Sequence, residues 1–271
     1  MNPLTESEAR TIVTTWKADT LEISDFEHQL HCHDGRIGYA HPHYSDSAFA
    51  CPICKQRQDQ NKREIELQTR MRESGIPPRY LDLEWNDLEM LEPLPRIQMA
   101  CTHLDLISLE GESLLLHGPP GSGKTQAAIM IAKTAIRSGL NARVVNIGRL
   151  CVDVRRGYSD QGLTESAALE SLGTTDFLIL DDLGAGETRN ATLENRLLYL
   201  ALEERQNRRL PTIITSNLEP VELVGKLGSR LLNRLQPLTV LEVNHGRNFR
   251  APSGRDSLWD RAENFEDFPT L

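Results

Sequence analysis

The sequence predicts an α/β fold in which a five-stranded parallel sheet lies between helices, preceded by a small α+β or irregular N-terminal domain. Three observations carry that expectation. From Ser113 to Val243 short apolar runs alternate with helical patterns. A glycine-rich octapeptide stands between the first of those runs and a helix. Three of the five cysteines and five of the eight histidines gather between residues 28 and 54.

The N-terminal region spans residues 1–74. Thr5-Glu6-Ser7-Glu8 reads as a capping box that opens a helix with Ala9, Ile12, Val13 and Trp16 on one face. Cys51-Pro52-Ile53-Cys54 then has the spacing that lets two thiolates reach one tetrahedral metal from a tight knuckle. Upstream, His28-Gln29-Leu30-His31-Cys32-His33-Asp34-Gly35 resembles a second knuckle, with Asp-Gly supplying the turn. Cys32, Cys51 and Cys54 are therefore candidate zinc ligands. His28, His31, His33, His41 and His43 are all available as the fourth. His31 and His33 flank Cys32 directly, so His28, four residues before it, is the choice. The alternatives are that Cys51 and Cys54 form a redox pair, which expects a βαβ setting that this stretch does not show, or that they are simply buried small residues. A module this small could hardly fold on apolar burial alone, so a structural zinc would supply much of its folding free energy.

Gln60 to Ser74 is polar and helix-prone, a solvated linker helix that stops at Gly75. Ile76-Pro77-Pro78 forces an extended segment after it, which marks the domain boundary. The main domain follows over 75–255. Ser113-Leu114-Leu115-Leu116-His117 is its first buried strand, and Gly118-Pro119-Pro120-Gly121-Ser122-Gly123-Lys124-Thr125 matches G-x-x-x-x-G-K-[ST]. Such glycines let backbone N–H groups converge on phosphate oxygens. Lys124 reaches the β- and γ-phosphates of a nucleotide, and the Thr125 hydroxyl ligates Mg²⁺. The helix from Gln126 to Arg137 points the partial positive charge of its N-terminus at those phosphates.

The remaining elements continue the alternation. Ala142 to Ile147 is a strand, followed by two helical stretches ending near Ser171. Phe177 to Gly184 is a second buried strand, ending in Asp181 and Asp182. Thr192 to Arg208 is a long helix, Thr212 to Asn217 a further strand, and Leu238 to Val243 closes the sheet. Ligands of open α/β sheets lie at the carboxyl ends of the strands, where Asp181, Asp182 and Asn217 all fall. Asp181 is expected to hold Mg²⁺, Asp182 to orient or activate an attacking water, and Asn217 to bond that water or the γ-phosphate.

These residues resemble the AAA+ ATPases, and within them the DnaC/DnaI-type bacterial helicase loaders and the related IstB-type transposition ATPases, over roughly residues 75 to 250. Residues 118–125 look like the Walker A motif, Leu178 to Gly184 like Walker B, and Thr212 to Asn217 like sensor 1. Gly228 to Leu235 resembles the segment carrying the arginine finger, which implies that Arg234 reaches the γ-phosphate of a neighbouring subunit. Arg230 is read as a surface residue. Gly246 to Arg250 resembles the sensor 2 ending, which implies that Arg250 faces the subunit's own nucleotide. The implied nucleotide-binding set is thus Gly118, Pro119, Pro120, Gly121, Ser122, Gly123, Lys124, Thr125, Gln126 and Arg250. Lys124, Asp181, Asp182, Asn217 and Arg234 form the implied catalytic set. Asp182 stands where most such proteins have Glu, one methylene longer, so slow hydrolysis is implied. The chain ends soon after Arg250, which leaves room for a minimal lid or none.

The resemblance implies an ATP-dependent loader. Its N-terminal domain would bind a replicative DNA helicase, and its ATPase domain would self-associate and contact single-stranded DNA. A transposition ATPase on duplex DNA is the second reading, and a zinc-containing adaptor that binds nucleotide without hydrolysis the third. Composition fits local rather than general nucleic-acid contact. The chain has 30 Lys+Arg against 39 Asp+Glu, a net charge of −9. Residues 203–250 nevertheless hold eight Arg/Lys against five Glu, while the tail at 256–271 is acidic with Trp259, Phe265 and Phe268 interleaved. No run approaches ~18 apolar residues, and the N-terminus lacks the pattern of a secretory signal, so the cytoplasm is the expected location.

Overall fold

A computed structural model describes residues 4–18, 32–33, 36–41, 44–89, 91–157, 163–184 and 191–244. The chain divides into two compact units, Met1–Thr69 and Arg70–Leu271. The expectations for His28, for Arg250 and for the acidic tail fall outside the described residues.

The first unit is α+β. Helix α1 (Glu6–Ala18) opens on the capping box, with Thr5 N donating to Glu8 Oε2 at 2.7 Å and Glu8 N to Thr5 Oγ1 at 3.3 Å. Strands β1 (Cys32–His33), β2 (Arg36–His41) and β3 (Tyr44–Ala50) form an antiparallel sheet in that order. Ala9 and Trp16 of α1 are buried with Ile37, Cys51 and Ile53, and Ile12, Val13 and Phe49 pack against them. Helix α2 (Pro52–Glu73) starts immediately after Cys51, earlier than the expected Gln60. The C-x-x-C motif therefore straddles a strand end and a helix start, where the sequence suggested neither. Proline in the first turn gives up no hydrogen bond there, which explains why Pro52 does not delay the helix.

The second unit is built on five parallel strands in the order β5-β6-β7-β4-β8. They are β4 (Ser113–His117), β5 (Ala142–Val145), β6 (Phe177–Leu180), β7 (Thr212–Ser216) and β8 (Leu238–Glu242). Helices α3 (Leu94–Ala100) and α4 (Leu104–Glu110), which the sequence reading did not anticipate, precede β4. Then come α5 (Lys124–Arg137), α6 (Ile147–Gly157), α7 (Glu165–Thr174), α8 (Ala191–Arg208), α9 (Pro220–Leu227) and α10 (Ser229–Leu232). Among the described residues no helix is long and apolar enough to cross a membrane.

Alternation along the strands separates two apolar layers. Leu115, Val145, Leu178, Leu180 and Ile214 point into a cluster with Leu150, Val154, Leu172, Leu198 and Leu202. Phe177, Ile213 and Leu114 line the other face with Ile97, Leu104 and Ile131. Central β6 and β7 are buried along their whole length, as strands covered on both faces must be. Edge strand β5 is met by the incoming chain: Val144 N donates to Ser74 O at 2.7 Å. Gly75 follows at φ +87°, and a Cβ there would stand 2.5 Å from Val144 O, so only glycine admits this approach.

Buried Arg205 on α8 secures the amino ends of β6 and β7. It donates to Leu172 O, Thr175 O, Asp176 O and Pro211 O and, at 2.9 Å, to Thr212 Oγ1. Burial lowers its pKa to about 9, which leaves it charged at neutral pH.

Candidate functional site

The topology switches direction at β4, whose neighbours are β7 and β8. The carboxyl ends of adjacent strands β6, β7 and β4 therefore open onto one crevice, where open α/β sheets bind ligands. A cleft of about 280 Å³ lies there, lined by Gly121 to Gln126, Asp181, Asp182 and Asn217 together with Arg79, Tyr80, Asn146 and Thr215.

The loop after β4 is forced by close backbone packing. Val243 N donates to His117 O at 2.7 Å, and Gly118 follows at φ +144°. A Cβ on Gly118 would lie 2.3 Å from Val243 O, so a side chain cannot stand at the first position of the octapeptide. Lys124 opens α5 and is buried, its Nζ donating to Gly118 O at 2.9 Å, Pro119 O at 2.7 Å and Ser122 Oγ at 3.3 Å. The lysine thus arcs back over the loop, and the first turn of α5 presents N–H groups that no residue within the helix can accept.

Across the cleft, Thr125 Oγ1 donates to Asp181 Oδ1 at 2.8 Å, and Thr215 Oγ1 donates to the same oxygen at 2.7 Å. Asp182 has left-handed backbone, φ 60°, uncommon for a residue other than glycine. Two contacts hold it there: its N–H donates to Thr215 Oγ1 at 2.8 Å, and Asn217 Nδ2 donates to Asp182 Oδ1 at 2.9 Å. The strand ends at Leu180, and Asp181 to Gly184 form a turn that aims both carboxylates into the cleft.

Thr215 is the residue that sequence reasoning missed. Its hydroxyl both donates and accepts, and so joins the two carboxylate positions to β7. Its signal was the spacing, since a strand residue two before Asn217 faces the same way. Asn146 was also missed. It follows β5 as Asn217 follows β7, and its amide donates to Asp181 O at 3.4 Å. Arg79 and Tyr80 stand on the cleft wall with the guanidinium 4.6 Å from the ring centroid.

Arg234 lies elsewhere, half-buried against α8. Its guanidinium donates to Tyr199 Oη and Glu203 Oε1, each at 2.9 Å, and to Gln206 Oε1 at 3.1 Å. It does not line the cleft. Arg230 is exposed.

In the N-terminal unit Cys32, Cys51 and Cys54 bring their sulfurs within 4.8 Å of one another, with Cys32 Sγ and Cys54 Sγ 3.5 Å apart. All five cysteines are free thiols. Burial, then the neighbouring Cys54 and Cys51, push the Cys32 thiol up. Cys101 and Cys151 are isolated and buried. Burial pushes Cys101 up to about 12 and, with Glu194 adding to it, Cys151 up to about 11, as befits inert core thiols.

The chain is 27% identical over 180 residues to the replicative helicase loader DnaI of Bacillus subtilis, a match covering 65% of this chain and 55% of that protein. It is 31% identical over 115 residues to a putative ATP-binding protein in an insertion sequence of Mycobacterium tuberculosis, covering 42% of this chain and 44% of that one. The chain thus spans about half the length of the curated relatives it matches. The crystal structure of DnaI superposes with a TM-score of 0.52 at 23% identity, over 65% of this chain and 94% of that one, which establishes a shared fold. The model of IstB-like ATP binding proteins matches residues 52–234, well over half of the chain. With the phosphate loop, both carboxylates and the strand-end asparagine inside that span, the chain belongs to the IstB-like ATP binding protein family.

Proposed function

We propose that this chain is an ATPase that delivers a replicative DNA helicase onto single-stranded DNA. The observation that carries the ATPase half is the convergence of Thr125, Asp181, Asp182 and Asn217 on one cleft beside the phosphate loop. Loop N–H groups and Lys124 would neutralise phosphate charge. Thr125 and Asp181 offer hard oxygen donors 2.8 Å apart, a pair that fits Mg²⁺ and would hold it. Bound there, the ion would polarise the β- and γ-phosphate oxygens. Asp182, held by Thr215 and Asn217, would accept a proton from water, and Asn217 would orient that water. Arg234 would act on the nucleotide of a neighbouring subunit. Arg250 would act on the subunit's own.

The likeness to DnaI and the thiol cluster support the loading half. A tetrahedral zinc with ~2.3 Å bonds sets its sulfurs about 3.8 Å apart, which the three thiols match closely enough to hold it. His28 is the proposed fourth ligand. The ion would cross-link the sheet to the start of α2, and the unit so formed would bind the helicase. DNA contact falls to the ATPase unit, in the cytoplasm.

A transposition ATPase is the second reading, favoured by the family model and the insertion-sequence relative. One experiment separates them. The purified chain is mixed with the host's replicative helicase, with and without ATP, beside a Lys124→Ala variant. Loading predicts a helicase complex that responds to ATP and a variant whose ATP affinity falls on the order of 100-fold. Filaments on duplex DNA without any helicase complex would establish the transposition reading instead. Release that is unchanged in Asp182→Ala would point to an adaptor that does not hydrolyse.

A further inference from the structure

Helix α5, which opens on the phosphate loop, buries a second lysine. Lys133 is 0% exposed. Its ammonium donates to Leu81 O at 2.7 Å, to Leu83 O, and to Glu84 Oε1 at 3.3 Å. One turn further on, Arg137 Nη1 donates to Glu84 Oε2 at 2.8 Å and Nη2 to Oε1. Arg137 first, and Lys133 after it, hold the Glu84 carboxyl below its ordinary value. A lysine has three donors and here meets three acceptors.

Taking an ammonium out of water is strongly unfavourable, and an apolar side chain would pack a helix face at least as well. What an apolar residue cannot do is hold two backbone carbonyls and a carboxylate at once. Those three acceptors lie on Leu81 to Glu84, which follows directly on Arg79 and Tyr80. The two cleft residues sit in a single 3₁₀ turn, Pro78–Tyr80. Their position is therefore set by what fastens the chain after them. Lys133 comes nine residues after Lys124, about 13–14 Å along the same helix at 1.5 Å per residue.

We propose that Lys133 is a positioning residue for the nucleoside end of the bound nucleotide, tying the Arg79–Tyr80 wall to the helix whose first turn holds the phosphates. This rests on reading the cleft as the ATP site. One rigid helix then fixes the spacing between the phosphate loop and the wall against which the base and sugar lie. A correctly spaced wall adds affinity for a nucleotide and none for bare phosphate.

The test compares Mg²⁺-ATP with Mg²⁺-tripolyphosphate, which has the phosphates and no nucleoside, by calorimetry on the full chain. Lys133→Met is expected to weaken ATP about tenfold and to leave tripolyphosphate within about twofold. Glu84→Ala removes an acceptor that is half exposed and threatens the fold less, and it should show the same selectivity at smaller size. A mere loss of stability would weaken both probes together. Equal losses for the two probes, or no loss for either, would overturn the proposal. Arg79→Ala and Tyr80→Ala identify which part has failed. If they weaken ATP selectively while Lys133→Met and Glu84→Ala do not, the wall is right and the tether wrong. If they change neither probe, the wall itself is wrong and the proposal falls with it. If the unaltered chain binds neither probe, the ATP-site reading fails first.

Discussion

In the α/β unit one cluster of buried side chains runs from β4 to β7 and through helices α6 to α10, nineteen residues among those described. In the N-terminal unit the buried apolar residues among those described are Ala9, Trp16, Ile37, Cys51 and Ile53, with Cys32 and Cys54 packed beside them. Among the described residues the first unit thus buries little apolar area, and the second buries much. At about 25 cal/mol per Å² the larger cluster offsets far more chain entropy than the five buried side chains described in the smaller unit. The difference bears on where function can reside. A unit held by its core can hold polar groups such as Asp182 in uncommon conformations. In the N-terminal unit the proposed zinc would supply a cross-link instead.

The severest way to break this contrast is to test the proposed zinc. With zinc worth on the order of 10 kcal/mol to a small thiolate site, chelation or Cys51→Ser should unfold the N-terminal unit. Backbone amides of β2, β3 and the start of α2 would then exchange at unfolded rates, read by hydrogen exchange and mass spectrometry. Those of β6 and β7 should keep their protection. A protein that purifies without zinc, or hairpin amides that stay protected after chelation, would show the small core to be sufficient.

The same contrast governs how much could be read from the sequence. The phosphate loop is contiguous, and every constraint on it is local: glycines for the backbone path, then a helix start. Asp181, Asp182 and Asn217 were legible because strand patterns of four and five residues ended on them, and the order of elements brought those ends together. Thr215 was not, because its role exists only when β7 lies beside β6, a pairing that no local pattern encodes. Arg79 and Tyr80 reach the cleft through the hold of Lys133 on the following residues, and a lysine within a helical pattern reads as a solvated one. Helices α3 and α4 went unread for a related reason: each is only seven residues long, too short to establish a period. In the N-terminal unit Cys51 and Cys54 were legible as a pair, but the helix that begins between them was masked by Pro52.

A smaller effect sharpens the claim that the α/β core supports polar precision. Thr215→Val keeps the shape of the side chain and removes the hydroxyl that bonds Asp181 and the Asp182 N–H. Leaving that N–H without its acceptor should lower stability by about 1–3 kcal/mol, measured by urea denaturation. The functional loss should exceed the structural one, because the hydroxyl helps to hold both carboxylates. ATP turnover is expected to fall on the order of tenfold while ATP binding changes less. Turnover that tracks stability alone would reduce Thr215 to a packing residue.

The smallest effect addresses how the N-terminal unit would divide its stability between the proposed zinc and the chain. Thr5 caps α1 by accepting from Glu8 N and donating to the Glu8 carboxylate, at 2.7 Å through Oγ1. The backbone hydrogen bond and the hydroxyl together hold that carboxyl below its ordinary value. Thr5→Ala should cost about 1 kcal/mol, confined to this unit, as other capping residues do. The carboxylate bond supplies a sign for pH. A depressed pKa adds stability above the unfolded value, and that stability is lost as pH falls through the folded one. The cap should therefore matter at neutral pH and fade in acid. If the proposed zinc holds the unit, the variant should raise the zinc concentration at the folding midpoint by a corresponding factor of about five. A shift of that size in the zinc midpoint, with the α/β transition unmoved, would place the cap and the metal in one cooperative unit. An unmoved zinc midpoint would mean that α1 frays independently of the thiol site.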